Sequence, residues 1–273
     1  MNTWVFLRGL TRETRHWGDF PEIFRRAIPD AAVVALDLPG NGRLNGVTSP
    51  TRVEELAERA RDELARLGVS RPCHLLAMSL GAMVAVEWAA RHPREISGAV
   101  LINTSLAPFS PVFRRLKPAN YPALLRLALF GASSCGWEET ILRLTTRLVT
   151  TPDAVVAAWV ACRNENPVSR DNALRQLLAA ARYRAPRARP APPLLLLASR
   201  RDALVDARCS RDLARRWHCA LAEHPHAGHD LPLDDGPWVA ARIREWLEHE
   251  AGAVSRCAPT GSFPLPADPA RGL

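Results

Sequence analysis

The stretch CHLLAMSLGAMVAVEWAARHP, residues 73–93, decides the fold of this chain. A short apolar run, Cys73–Met78, is followed by a turn at Ser79 and by an alanine-rich apolar segment that Pro93 ends. The run predicts a buried strand, and the segment predicts a helix. The serine therefore stands in a tight turn between a strand and a helix.

Small residues flank this serine where the backbones of strand and helix would approach each other. Ala77 and Gly81 give A-x-S-x-G, a close variant of the G-x-S-x-G nucleophile elbow. Such a turn strains the serine backbone and exposes its hydroxyl at a helix N-terminus, where free N–H groups stabilise developing negative charge. A plain Ser-Gly turn is the alternative, because short patterns also occur by chance.

The composition is typical of a soluble globular domain. The 273 residues are 47% hydrophobic and 23% charged, and no apolar run is long enough to span a membrane. Six cysteines are scattered without a C-x-x-C pair, and the N-terminal stretch resembles a strand rather than a signal peptide. We therefore expect a reduced, cytoplasmic protein.

The net charge of +8 comes almost wholly from arginine, since Lys117 is the only lysine. Codon usage in a GC-rich genome explains this bias, and an acidic partner such as an acyl carrier is the functional alternative. The arginines form no basic run with interleaved aromatic residues. Nucleic acid is therefore not expected as a partner.

Apolar strands alternate with helices at both ends of the chain, which predicts a parallel sheet with helices on both faces. Residues 1–104 and 192–250 would form this core. Residues 105–191 predict helices only, and we interpret them as a lid inserted between two strands. Residues 251–273, rich in Pro, Gly, Ala and Ser, are expected to form a disordered tail.

Two further polar residues follow strands of the predicted sheet. Asp202 comes just after the apolar run 194–198, and His229 lies in the loop after the last predicted strand. Sites in open parallel sheets lie at the carboxyl ends of the strands. Ser79, Asp202 and His229 would therefore meet at one edge of the sheet.

With these residues in place, the chain resembles the α/β-hydrolase superfamily over about residues 3–250. The matching stretches are FLRGL (6–10), LDLPGNG (36–42), AMSLG (77–81), ASRRD (198–202) and GHDLPLDD (228–235). The resemblance implies an α/β-hydrolase fold, with a mostly parallel sheet of about six strands, helices on both faces and an inserted helical lid.

The resemblance also implies a catalytic triad in the order nucleophile, acid and histidine. Ser79 would attack, His229 would carry its proton, and Asp202 would orient the imidazole. The backbone N–H groups of Leu10 and Leu80 would form the oxyanion hole.

Each role has a rival in the sequence. His224 and His226 lie close to His229, and Asp206 competes with Asp202 but stands where a helix N-cap is expected. Asp37, beside a glycine-rich turn, is expected to brace that loop. The spacing of the three histidines does not match a metallo-hydrolase motif, and neither G-x-G-x-x-G nor a P-loop occurs. We expect no metal and no cofactor.

The sequence departs from the family before the first oxyanion donor, where Arg8-Gly9 replaces the usual His-Gly. Arg8 could replace the bracing bonds of that histidine or bind a substrate carboxylate. In the lid, Tyr121, Phe130 and Trp159 could line an apolar acyl pocket. The alternative is that such residues pack the core of the lid itself.

We interpret the chain as a serine hydrolase that cleaves a carboxylic ester or thioester through an acyl-enzyme. The small-molecule substrate could be carried by an acidic acyl carrier. The alternatives are a non-catalytic binding or interaction module on the same fold, and a cofactor-free perhydrolase or C–C hydrolase that uses the same residues.

Overall fold

The computed structural model describes the backbone of residues 2–130 and 132–257, and the side chains of residues 2–127 and 132–250. Six strands form one sheet in the order β2-β1-β3-β4-β5-β6, and every pair is parallel. The strands are β1 Asn2–Leu7, β2 Ala31–Leu36, β3 Cys73–Met78, β4 Ile96–Ile102, β5 Leu194–Ser199 and β6 Ala220–His224. The predicted sheet of about six strands is confirmed.

The sheet is covered on both faces because its strands are apolar at successive positions. In β1, Val5 and Leu7 face one buried cluster with α2, α3 and α9, which span Val53–Arg66, Leu80–Arg91 and Arg208–Trp217. Trp4 and Phe6 face the other cluster, with α1 and α11, which span Phe20–Ala27 and Gly236–Cys257. Alternation along one strand thus supplies two cores.

The predicted helical insertion lies between β4 and β5. It contains α4 Val112–Arg115, α5 Tyr121–Phe130, α6 Ser134–Thr145, α7 Pro152–Glu165 and α8 Arg170–Arg182. Leu142, Val156 and Trp159 form a separate small core there. A further short helix, α10, spans Leu231–Asp234.

Two helix ends differ from the sequence prediction. The pattern Thr51-x-x-Glu54 predicts a capping box at the start of α2, but the box does not form: α2 begins at Val53, and Arg52 is its N-cap residue. At the other end of the chain, α11 continues to Cys257, seven residues into the segment 251–273 that was expected to be a disordered tail. The remainder of that tail, residues 258–273, lies outside the described residues.

Within the described ranges, no helix combines the length and apolar character that a membrane span requires.

Candidate active site

Ser79 forms a strained turn between β3 and α3. Its φ of 54° and ψ of −116° lie in a region that non-glycine residues rarely adopt. Gly81 permits the turn, because a Cβ there would stand 2.5 Å from the carbonyl oxygen of Leu7 and 2.6 Å from that of Arg8. The predicted elbow is therefore packed directly against the end of β1.

His229 and Asp202 contact each other. Nδ1 of His229 lies 2.7 Å from Oδ2 of Asp202, and both side chains are buried. The other carboxylate oxygen of Asp202 accepts from the backbone N–H groups of Leu204 at 2.7 Å and Val205 at 2.9 Å. Asp202 is thus held in place while one oxygen remains for the imidazole.

The environment of His229 acts on its pKa in two directions. Burial disfavours the imidazolium, but the charge and the hydrogen bond of Asp202 favour it, and the net pKa is raised above its ordinary value. The imidazole is therefore a stronger base than a free histidine.

The rival residues have other partners. Nδ1 of His224 accepts from the backbone N–H of Ala227, and its Nε2 lies 3.1 Å from Asp235. Asp206 accepts from the backbone and guanidinium of Arg208, which lowers its pKa to about 2. His226 is exposed.

Asp37 braces the loops beside β2. Its carboxylate accepts from the backbone N–H groups of Thr14 at 2.8 Å and Arg43 at 3.0 Å. This is the contact that its position beside the glycine-rich turn suggested.

Arg8 is buried and forms an ion pair with Asp230, the residue after His229. Its guanidinium carbon also lies 4.8 Å from the centre of the Trp17 ring. The Arg8-Gly9 variation thus introduces a brace between the loop before Leu10 and the histidine loop.

Asn103, at the end of β4, is a positioning residue that the sequence did not single out. Its φ is 46°, and its Nδ2 donates to the backbone oxygen of His229 at 2.7 Å and to Oγ of Ser199 at 3.0 Å. Its Oδ1 accepts from the Ser199 N–H at 2.8 Å. The only local signal was its place directly after a predicted strand.

The two predicted oxyanion donors belong to neighbouring segments. Leu80 is the first residue of α3, so the Leu80 N–H has no partner within the helix. Leu10 follows Gly9, where an added Cβ would stand 3.1 Å from the Cβ of Ser79. Among the described residues, neither amide donates to another backbone group. Gln176 of α8 accepts from the next N–H, that of Thr11, at 2.9 Å.

A cavity of about 440 Å³ is lined by both Ser79 and His229. Leu10, Leu80, Arg8 and Tyr121 also line it, together with further apolar residues from the lid, including Leu116, Leu124, Ile141, Leu144 and Leu177. The remaining predicted acyl-pocket residues differ: Trp159 packs in the lid core and does not line the cavity, and the Phe130 side chain lies outside the described residues.

Arg12 connects the cavity wall to the lid. Nη1 of Arg12 donates to Oε2 of Glu138 at 2.6 Å, and its guanidinium carbon lies 4.1 Å from the centre of the Trp159 ring. Glu138 also pairs with Arg163 at 3.3 Å. Because the partners are 126 residues apart, no local pattern in the sequence indicates this cluster.

In the part of the chain that the structure describes, no group of three or more His, Cys, Asp or Glu side chains is arranged to hold a metal ion.

The fold agrees with the comparisons with known proteins. The model of the alpha/beta hydrolase family matches residues 4–242, so the chain belongs to that family. A putative lipase from Acinetobacter baumannii superposes with a TM-score of 0.72 at 19% identity, over 92% of this chain and 85% of that one. The 2-hydroxy-6-oxo-6-phenylhexa-2,4-dienoate hydrolase of a Rhodococcus species gives 0.71 at 17% identity, over 90% of each chain.

A sequence relative matches a smaller part of the chain. The biotin biosynthesis bifunctional protein BioHC of Teredinibacter turnerae is 34% identical over 102 residues. That match spans 37% of this chain and 17% of the bifunctional protein.

Proposed function

We propose that the chain is a serine hydrolase that cleaves a carboxylic ester or thioester through an acyl-enzyme on Ser79. The observation that carries the proposal is the buried 2.7 Å contact between His229 and Asp202, with His229 and Ser79 on the wall of one cavity. A serine hydroxyl needs a base and an orienting group to act at neutral pH.

In the first half of the reaction, Oγ of Ser79 attacks the carbonyl carbon, and Nε2 of His229 accepts the hydroxyl proton. Asp202, bound to Nδ1, fixes the imidazole tautomer and stabilises the imidazolium. The imidazolium then protonates the leaving alkoxide or thiolate. In the second half, His229 deprotonates a water that attacks the acyl-enzyme, and the imidazolium returns that proton to Oγ of Ser79 as the acyl–oxygen bond breaks and the carboxylic acid leaves.

The tetrahedral intermediate carries a negative charge on the former carbonyl oxygen. The N–H groups of Leu10 and Leu80 are the proposed donors to this oxygen. Leu10 follows Gly9, which packs on Ser79, and Leu80 follows Ser79 itself and begins α3. The partial positive charge of the α3 N-terminus acts in the same direction.

The cavity supports an apolar acyl group as the part of the substrate that the lid selects. Leu124 and Tyr121 of α5 and Leu177 of α8 all line it. We expect the hydrolysis rate to depend on acyl length. The arginine surplus also fits an acidic acyl carrier, and added salt should then slow hydrolysis of a carrier-borne thioester.

Covalent labelling by a fluorophosphonate tests the proposal. Wild type, Ser79→Ala and His229→Ala are compared with two matched controls: Ser105→Ala, which removes another hydroxyl from the same cavity, and His226→Ala, which removes an exposed ring from the histidine loop. Labelling should fail in Ser79→Ala and His229→Ala and should succeed in wild type and both controls. An unlabelled but folded wild type would instead favour a non-catalytic binding module, and labelled protein would proceed to a panel of esters of graded acyl length.

A further inference from the structure

We propose that Arg115 binds a carboxylate of the substrate, so that the preferred ester or thioester carries a free acid group on its chain. The inference rests on the proposed function for the reaction, but its binding test below is independent of catalysis. Three arginines line the cavity: Arg8, Arg12 and Arg115.

Arg8 and Arg12 each have a buried carboxylate partner, whereas Arg115 has none among the described residues. Arg8 pairs with Asp230 and Arg12 with Glu138, both at 2.6 Å. The Arg115 guanidinium donates through Nη2 to the backbone oxygen of Ala180 at 2.6 Å, and its Nε is buried without a hydrogen-bond partner. One cation at the cavity wall is therefore uncompensated.

The surroundings of Arg115 make that charge costly. Burial lowers its pKa, and the nearby charge of Arg184 lowers it further. The cavity wall beside it is apolar, with Val112, Leu116, Leu204 and Val205. Arg115 is partly buried, and a cation that is withdrawn from water is expensive unless an opposite charge accompanies it. A substrate anion would supply the missing partner.

A second excess of positive charge lies beside the cavity wall, around Arg12. Glu138 is shared between Arg12 and Arg163, so this cluster also has more cations than anions. Nη2 of Arg12 is buried without a partner. The wall at Arg115 and the cluster around Arg12 therefore both favour an anionic ligand.

The ligand that fits is one carboxylate on an otherwise apolar chain. A guanidinium binds carboxylates through directed, charge-assisted hydrogen bonds. The remaining lining, including Leu124, Ile141 and Leu144, would hold the methylene groups between the acid and the ester. A half-ester or half-thioester of a dicarboxylic acid has this chemistry.

Binding to the Ser79→Ala protein, measured by calorimetry, tests the inference without turnover. The probes are monomethyl esters of succinate, adipate, suberate and sebacate, each compared with the methyl ester of the monocarboxylic acid of equal length. At the preferred length, the half-ester should bind about 10- to 100-fold more tightly than its neutral counterpart. In Ser79→Ala/Arg115→Gln this preference should disappear, and Arg115→Lys should retain part of it.

Arg126→Gln is the matched control, since it removes the same charge from an exposed lid arginine that does not line the cavity. Its preference should equal that of Ser79→Ala alone. Equal binding of half-esters and neutral esters at every length, or a preference that survives Arg115→Gln, would overturn the inference. Either result leaves the labelling by fluorophosphonate, and with it the proposed function, unaffected.

Hydrolysis gives a second measurement. With wild type and Arg115→Gln, the ratio of kcat/KM for the half-ester to kcat/KM for the neutral ester of equal length is compared. The ratio should fall about 10- to 100-fold in the variant. If labelling fails while the half-esters still bind through Arg115, the site is a ligand-binding site and the proposed reaction is wrong.

Discussion

Arg8 and Asp230 form a buried two-point ion pair, with Nη1 at 3.1 Å from Oδ1 and Nη2 at 2.6 Å from Oδ2. Arg8 directly precedes Gly9-Leu10, and Asp230 directly follows His229. The pair therefore joins the loop of one proposed oxyanion donor to the loop of the proposed base, across 222 positions of sequence.

Removing one member of this pair should strongly destabilise the protein. Arg8→Gln or Asp230→Asn leaves the other charge buried and unpaired, which costs about 3–5 kcal/mol. The double variant should lose less stability than the two single changes together, because no unpaired ion remains. Urea unfolding measures the free energies. Glu22→Gln, which breaks an exposed pair with Arg26, serves as the control and should change stability little.

The pH dependence of the proposed hydrolysis should follow His229. The base must be neutral, so activity rises as the pH passes through its pKa, and the raised pKa places this limb above the ordinary value of 6.5. Asp202→Asn removes the carboxylate whose charge and hydrogen bond raise the pKa most, while burial still lowers it. The limb should then move to lower pH, and kcat should fall by about 10⁴-fold. A profile of kcat/KM against pH measures both effects.

Asp206→Asn is the control for that profile, since Asp206 pairs with Arg208 instead of His229. Its acid limb should match that of wild type. A limb that shifts in Asp206→Asn but not in Asp202→Asn would show that Asp206, and not Asp202, is the acid that orients His229.

Gly81→Ala should destabilise the fold by about 1–3 kcal/mol or more, because the added methyl group meets main-chain oxygens of Leu7 and Arg8 that cannot rotate away. The added methyl group would push α3 away from the end of β1 and displace the Leu10 amide, so fluorophosphonate labelling should also slow. Gly46→Ala is the control, since nothing lies within 4 Å of its added Cβ. Equal melting temperatures for the two variants would contradict the close approach.

Glu138→Gln should lower stability by about 3–5 kcal/mol, because it leaves Arg12 and Arg163 without their shared carboxylate. Glu139→Gln makes the same change at the adjacent, exposed position and should have little effect. Thermal unfolding of both variants measures the difference. Similar losses from the two would show that the buried cluster contributes nothing to stability.

The fold and the residues of the candidate site could be predicted from the sequence, but the residues that hold them in place could not. The strand, turn and helix around Ser79 follow from local pattern, and the family model confirms the fold. Asn103 and Glu138 could not be found in that way, since an asparagine after a strand or a glutamate in a helix has many ordinary roles. The catalytic roles of Ser79, Asp202 and His229 stay predictions.

The acyl pocket shows the same limit. Tyr121 and Trp159 are both aromatic residues of lid helices, and the sequence pattern predicted equally for both that they could line the pocket. The packing of the lid separates them, because Tyr121 lines the cavity while Trp159 lies beneath Arg12 in the lid core.

The sequence by itself determined the order of strands and helices, the strained serine turn and the places where an acid and a histidine follow strands. These features depend on the spacing of apolar and small residues over short distances. Only the tertiary structure decided which charges are paired. Asp230 is 222 residues from Arg8, and Arg115 has no carboxylate beside it among the described residues. Such partners depend on how the sheet and lid bring distant segments together, and local pattern carries no record of those distances.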